Sequence, residues 1–169
     1  ETQELRQVVA RRATEREREQ KRRARDLNVT TVVGDVISAT SSLQELHQKV
    51  VDLIRERFEL YYVGLFLLDE AGEWAVLRAG TGEEGRIQLA RGHRLKIGGE
   101  SMIGWAVAQR QARIALDVGK EAVHFQNPVL PQTRSEMALP LIHRGEVVGA
   151  LTIQSIEQAA FSREDIIFF

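Results

Sequence analysis

The chain has 169 residues, 43% of them hydrophobic, with a formal net charge of −1 and no cysteine. That length and apolar content suffice for one domain with a buried core, and the balanced charge gives no general pull toward nucleic acid or an anionic membrane. The missing thiol excludes disulfides, thiolate metal sites, iron–sulfur clusters and cysteine nucleophiles together, and it fits a reducing compartment.

Residues 1–40 contain no proline, and their only glycine is Gly34. The stretch from Arg11 to Asp26 is almost entirely charged, with favourable helical pairs Glu17→Lys21 and Glu19→Arg23 and an unfavourable one, Arg18 and Arg22. Apolar residues lapse there and return at Leu27, Val29, Val32, Val33, Val36 and Ile37. A long N-terminal helix is expected. Forty helical residues would span roughly 60 Å, more than the width of the domain behind it. Its apolar stripe then needs a partner helix, so a homodimer through a parallel coiled coil is expected, against the plainer reading of a solvated arm.

Ser42-x-x-Glu45 is a capping box, and Leu43, Leu46, Val50, Leu53, Ile54 and Phe58 follow at helical spacing. Tyr61 to Leu68 reads as a buried strand, Asp69 to Gly72 as a turn and Trp74 to Ala79 as the returning strand. Gly80 to Arg94 is glycine-rich and charged, with a short helix expected near Arg86–Ala90. A short strand follows at His93 to Ile97, a helix at Met102 to Gln109 entered through Gly98-Gly99-Glu100-Ser101, and a strand at Ala112 to Leu116.

Asp117 to Thr133 is irregular, with Asn127-Pro128 and Pro131, and a loop that long inside a compact domain is usually functional. From Arg134 to Ser155 two alternating apolar runs flank His143-Arg144-Gly145-Glu146, which is the pattern of an antiparallel hairpin. Ser162-x-x-Asp165 starts a last helix. Neighbouring hairpins with helices between them imply an α+β domain over 41–169, preceded by the helical region 1–40. No apolar run is long enough to span a bilayer and no signal peptide is visible, so a cytoplasmic module is expected, free or within a membrane-anchored sensor. The chain starts at Glu1 and stops inside the apolar pattern Ile166-Ile167-Phe168-Phe169, as expected of a module of a longer protein.

Four segments in this order resemble a GAF domain, the small-molecule sensor module of cyclic-nucleotide phosphodiesterases, phytochromes and many bacterial histidine kinases. They are YYVGLFLLDEAGEWAVLRAGTGEEG, SMIGWAVAQRQARIALDV, SEMALPLIHRGEVVGALTIQS and AFSREDI. The family's last hairpin has a small-apolar-Pro-Leu strand, a glycine turn and a Val-x-Gly-x-Leu strand, here Ala138 to Leu141, Gly145, and Val148 to Leu151. The helical region 1–40 is similar to the signalling helices that join such domains to their neighbours.

The resemblance implies a six-stranded antiparallel sheet with a ligand on one face, covered by Thr81–Arg94, Gly98–Arg110 and Asp117–Thr133. It implies a regulatory module of a bacterial signalling protein, of the histidine kinase type in a two-component system; an enzyme is the last of the readings, because no nucleophile–base pair, metal cluster or phosphate loop appears in the sequence. The alternatives are a ligand-free dimerising spacer, a cyclic-nucleotide sensor or a haem sensor. Covalent bilin attachment and the cysteine chemistry of GAF-type methionine sulfoxide reductases are excluded by the missing thiol. Of the cyclic-nucleotide signature Asn-Lys…Phe-x-x-x-Asp-Glu, only Phe161-x-x-x-Asp165 is present, with Ile166 in place of the glutamate. Haem would require His124 as axial ligand, with no second feature to support it. The four histidines show no metal-ligand spacing.

The candidate ligand-binding residues are Phe66, Trp105, Asp117, His124, Phe125, Asn127, Arg134, Ser135 and Glu136. Arg134 suits a carboxylate or phosphate. It equally suits an ion pair with Glu136, which shares its side of an extended segment, or with Asp117. Asn127 before a proline fits an Asx turn as well as a ligand contact. His124-Phe125 offers a polar tip beside a flat surface. Trp105 at helical spacing fits core or pocket wall, and Phe66 can face either side of its strand.

Overall fold

The computed structural model describes residues 42–120 and 126–168. The proposed N-terminal helix over residues 1–40 lies outside the described residues. The elements, in chain order, are α1 (Leu43–Phe58), β1 (Tyr62–Leu68), β2 (Trp74–Gly80), α2 (Gly82–Ala90), β3 (Arg94–Lys96), α3 (Met102–Gln109), β4 (Arg113–Ala115), a 3-10 turn (Val118–Lys120), β5 (Ser135–His143), β6 (Glu146–Ser155) and α4 (Arg163–Phe168). The strands form one six-stranded sheet in the order β3-β2-β1-β6-β5-β4, with antiparallel neighbours throughout.

Local chemistry sets the element ends. The Ser42 hydroxyl accepts from the Glu45 amide at 3.2 Å, and the Ser101 hydroxyl accepts from the Gly104 amide at 2.9 Å. Each satisfies a backbone donor that the first helical turn leaves unpaired. At α4 the Asp165 carboxylate accepts from both the amide and the hydroxyl of Ser162. The β5–β6 hairpin closes on Arg144 and Gly145, with φ of 49° and 83°. Two positive φ values in a two-residue loop mark a type I′ turn, whose twist suits paired strands.

Strand alternation gives the sheet two faces. Val63 and Leu65 of β1, Met137 and Leu139 of β5, and Leu151 and Ile153 of β6 pack toward Val51 of α1. Phe66, Ala138 and Ala150, on the opposite face, join Met102, Ile103 and Ala106 of α3. β2 changes sides midway. Leu65 pairs with Ala79 and Phe66 with Leu77, so Arg78 is an extra residue in the ladder. This bulge lets Leu77 pack on the α3 face and Ala79 on the α1 face.

The helix expected near Arg86–Ala90 is longer, Gly82–Ala90. Two glycines ahead of Arg86 hide its start from a propensity argument, yet they make its docking possible. A Cβ at Gly85 would overlap the Gly80 carbonyl, so α2 can lie on the end of β2 only with glycine there.

Candidate functional site

The polar residues that matter lie on the α3 side of the sheet, at the end away from Phe66. Tyr62 of β1 pairs with Gln154 of β6, which pairs with Glu136 of β5. These three side chains form one row across the strands. Gly64, Thr152 and Ala138 form the next row. A cavity of about 550 Å³ sits on this floor. Its walls come from Gln88 of α2, His93 and Leu95 around β3, Ser101 to Ile103 at the start of α3, and the segment after β4, including Val118, Asn127 and Leu130. That volume lies within the ordinary range of small-molecule sites.

The floor is joined by a directional chain of hydrogen bonds. The Thr133 hydroxyl donates to the Gln154 carbonyl oxygen at 2.6 Å. The Gln154 amide nitrogen donates to the Thr152 hydroxyl oxygen at 3.0 Å. The Thr152 hydroxyl donates to the Glu136 carboxylate at 2.7 Å. All four residues are buried. The chain of donors thus ends on the Glu136 carboxylate.

The wall carries a second chain. Asn127 donates from Nδ2 to the Gln88 carbonyl oxygen at 2.7 Å, while its own carbonyl oxygen accepts from the Val129 amide at 3.0 Å. Gln88 donates in turn to the Glu84 carbonyl oxygen at 3.2 Å. Asn127 therefore makes the Asx turn and also ties the segment after β4 to α2.

Two titratable groups respond to burial. Burial pushes the Tyr62 phenol far up, with the Gln88 side chain opposing and the charges of Glu136 and Glu84 adding to the rise. Its hydroxyl is buried without a hydrogen bond; Gln88 stands nearby but not at bonding geometry. The ring lies against the flat backbone of Gly64 and Gly80, where a Cβ would come within 3.0 and 2.6 Å of that hydroxyl. Burial also lowers the pKa of His93, whose ring meets Phe66 edge-on at a centroid distance of 5.9 Å.

The candidate residues divide. Phe66, Asn127 and Glu136 line the cavity. Ser135 turns to the opposite face and donates to the Glu157 carbonyl oxygen at 2.6 Å. Trp105 lies outside the lining, half-buried, with the Arg113 guanidinium 4.7 Å from its ring centroid. Asp117 is held at the rim by Gly119, Lys120 and Gln158. Arg134 is exposed, and among the described residues it pairs with neither Glu136 nor Asp117. Alternation places Arg134 and Glu136 on one side only if the strand extends through both, but β5 begins at Ser135. Ahead of it Thr133 turns inward and Arg134 outward. His124 and Phe125 lie outside the described residues.

Sequence reasoning missed Tyr62, Gln88, Thr152 and Gln154. Thr152 and Gln154 did leave a signal, as the polar alternates of Leu151 and Ile153 in a strand otherwise read as plain core. Among the described residues no cluster of His, Asp and Glu is arranged to hold a metal ion.

The GAF domain sequence pattern matches residues 40–169. GAF domain-containing protein A of Dictyostelium discoideum is 28% identical over 116 residues, covering 69% of this chain and 67% of that protein. The GAF domain of a phosphoenolpyruvate-protein phosphotransferase from Coxiella burnetii superposes with a TM-score of 0.76 at 24% identity, over 86% of each chain. A free methionine-R-sulfoxide reductase of Neisseria meningitidis superposes with a TM-score of 0.67 at 22% identity, over 80% of this chain and 76% of that one. At such identities the two structures are alike in fold alone.

Proposed function

The chain belongs to the GAF domain family, a regulatory small-molecule-binding fold, and from that premise we propose that it is the sensory domain of a multidomain bacterial signalling protein of the histidine kinase type. The cavity carries this reading. It is of ligand size, floored by a buried polar row, and walled by segments from between the strands. A domain with no ligand would fill such a space with its own apolar side chains, because buried polar rows cost stability unless each group is paired.

Occupancy acts by favouring one of two arrangements of the domain and its flanking helices. The N-terminal region pairs with that of a second copy as a parallel coiled coil and passes the difference to neighbouring domains in the cytoplasm. Nucleic acid and membrane insertion have no part in this reading; no helix among the described residues is long and apolar enough to cross a membrane. We read the domain as binding rather than catalytic. The reductase fold relatives do not alter that, because this sequence holds no cysteine.

Native mass spectrometry of the purified chain is the test. A dimer retaining a small molecule, lost on substitution of a cavity residue, is the expected result. A monomer at high concentration that retains nothing, and that no compound stabilises in a broad thermal-shift screen, overturns it.

A further inference from the structure

One buried donor in the cavity goes unanswered. The Tyr62 hydroxyl lies against Gly64 and Gly80 and meets no hydrogen-bond partner among the described residues. Burial holds the phenol protonated, so it is a donor in need of an acceptor. Gln88 is close enough to act on it, yet stands outside bonding geometry. The Gln88 amide is held at both ends. Its nitrogen donates to the Glu84 carbonyl oxygen at 3.2 Å, and its oxygen accepts from Asn127 at 2.7 Å. A planar group fixed in this way has no freedom to turn toward Tyr62.

Asn127 belongs to the segment Gln126–Thr133, which forms turns rather than a helix or strand and walls the cavity at Asn127, Leu130 and Thr133. Thr133 fixes its far end to the sheet through Gln154, and Asn127 fixes its near end to α2 through Gln88. The first anchor is buried and the second half-buried. Parting of Asn127 from Gln88 would open the wall between α2 and this segment. A buried amide oxygen stripped of its donor ordinarily costs stability. Here the Tyr62 hydroxyl stands beside the same amide as a second donor.

We propose that Asn127 and Tyr62 are alternative donors to the Gln88 side chain, which thereby acts as the clasp of the cavity. Closed, the amide oxygen holds Asn127 and the phenol goes unpaired. Open, the oxygen swings to the phenol, and Asn127 is released to water with its segment. The Glu84 carbonyl lies inside α2 and keeps its helical partner when the Gln88 nitrogen leaves. Opening thus exchanges one hydrogen bond for another instead of losing one, which keeps the open arrangement within reach of a ligand's selection. Gln88 and Tyr62 are positioning residues here; neither needs to touch the ligand. The inference rests on the sensing reading for what the opening admits, whereas its test reads the opening itself.

The sequence holds no cysteine, so Leu130→Cys supplies a single thiol on the inner side of the segment, at a position 5% exposed. Its reaction with the thiol reagent DTNB is gated by opening. Rates are taken across low denaturant, where local opening changes little and global unfolding changes steeply. On this background Tyr62→Phe should slow labelling about fivefold, the worth of one ordinary hydrogen bond lost from the open arrangement. Asn127→Ala should speed labelling. With Gln88→Ala also present, Tyr62→Phe should have no effect, because the shared acceptor is gone. Labelling that is unchanged or faster in Tyr62→Phe overturns the proposal, as does a slowing that survives Gln88→Ala or an Asn127→Ala variant labelled no faster. If Gln88→Ala does not fold, Tyr62→Phe and Asn127→Ala decide. If Leu130→Cys does not fold, relaxation dispersion at the Leu130 methyls reads the open population, and one no smaller in Tyr62→Phe overturns the proposal likewise. Any of these failures leaves the sensing reading standing, which falls only to the mass-spectrometric result above.

Discussion

The two faces of the sheet share strands but not chemistry. On the α1 face, Val63, Met137 and Ile153 are wholly buried among apolar neighbours. On the other face, Tyr62, Glu136, Thr152 and Gln154, one residue away in each strand, are nearly as buried yet polar. Burial therefore does not separate core from site here; what separates them is whether the partners are apolar contacts or hydrogen bonds. The α1 face is stabilised by close packing, and the cavity face by pairing polar groups around a space left open.

Substitutions on the two faces should accordingly differ in size and kind. Ile153→Ala on the α1 face should cost about 2–5 kcal/mol in denaturant unfolding while leaving ligand preference unchanged. A loss under 1 kcal/mol would mean that this face is not the packed one. Next in size is Gly85→Ala, at about 1–3 kcal/mol, since α2 must shift off Gly80. Its sign is diagnostic: alanine would stabilise an unconstrained helix position by up to about 1 kcal/mol, so a gain in melting temperature would refute the close contact.

Thr152→Val keeps shape but removes the donor to Glu136 and the acceptor for Gln154. Calorimetric unfolding should show a loss of about 1–3 kcal/mol, together with altered ligand binding. Acid should act on the cavity face as well. The folded pKa of His93 is depressed below its ordinary 6.5, so the folded state binds fewer protons than the unfolded one as pH falls through 6.5. Stability from this group is full above pH 6.5 and declines below it. The decline should be shallower in His93→Gln, measured as melting temperature against pH. Smallest of all is Tyr62→Phe. The phenol makes no hydrogen bond, so removing its oxygen should leave unfolding free energy unchanged or slightly raised; a clear loss would reveal a partner.

How much of this was legible in the sequence follows the same division. The bounds of α3, the β5–β6 hairpin and the cap at Ser42 were readable because each is fixed by residues within a few positions of one another. The α1-facing alternates were readable for the same reason. The cavity row was not, because its members come from β1, β5 and β6, and the sequence does not state which polar residues become cross-strand neighbours. Glu136 was found from its place at the mouth of an apolar strand; Gln154, its partner across the sheet, sits in a strand that reads as plain core. Arg134 was overvalued because alternation was extended one residue past the strand's actual start. Gln88 was out of reach, since its role depends on the glycine-mediated approach of α2 to β2.

The polar alternates of β6 also bear on how the chain avoids misfolding. Were β6 to slide by one residue against its neighbours, Thr152 and Gln154 would enter the apolar layer under α1, and Leu151 and Ile153 would point into the cavity. Both layers would be spoiled at once, with the hydrogen-bond chain from Thr133 to Glu136 broken. A strand with interchangeable faces would have no such penalty. The cavity floor thus guards the strand alignment during folding, a duty it performs before any ligand arrives.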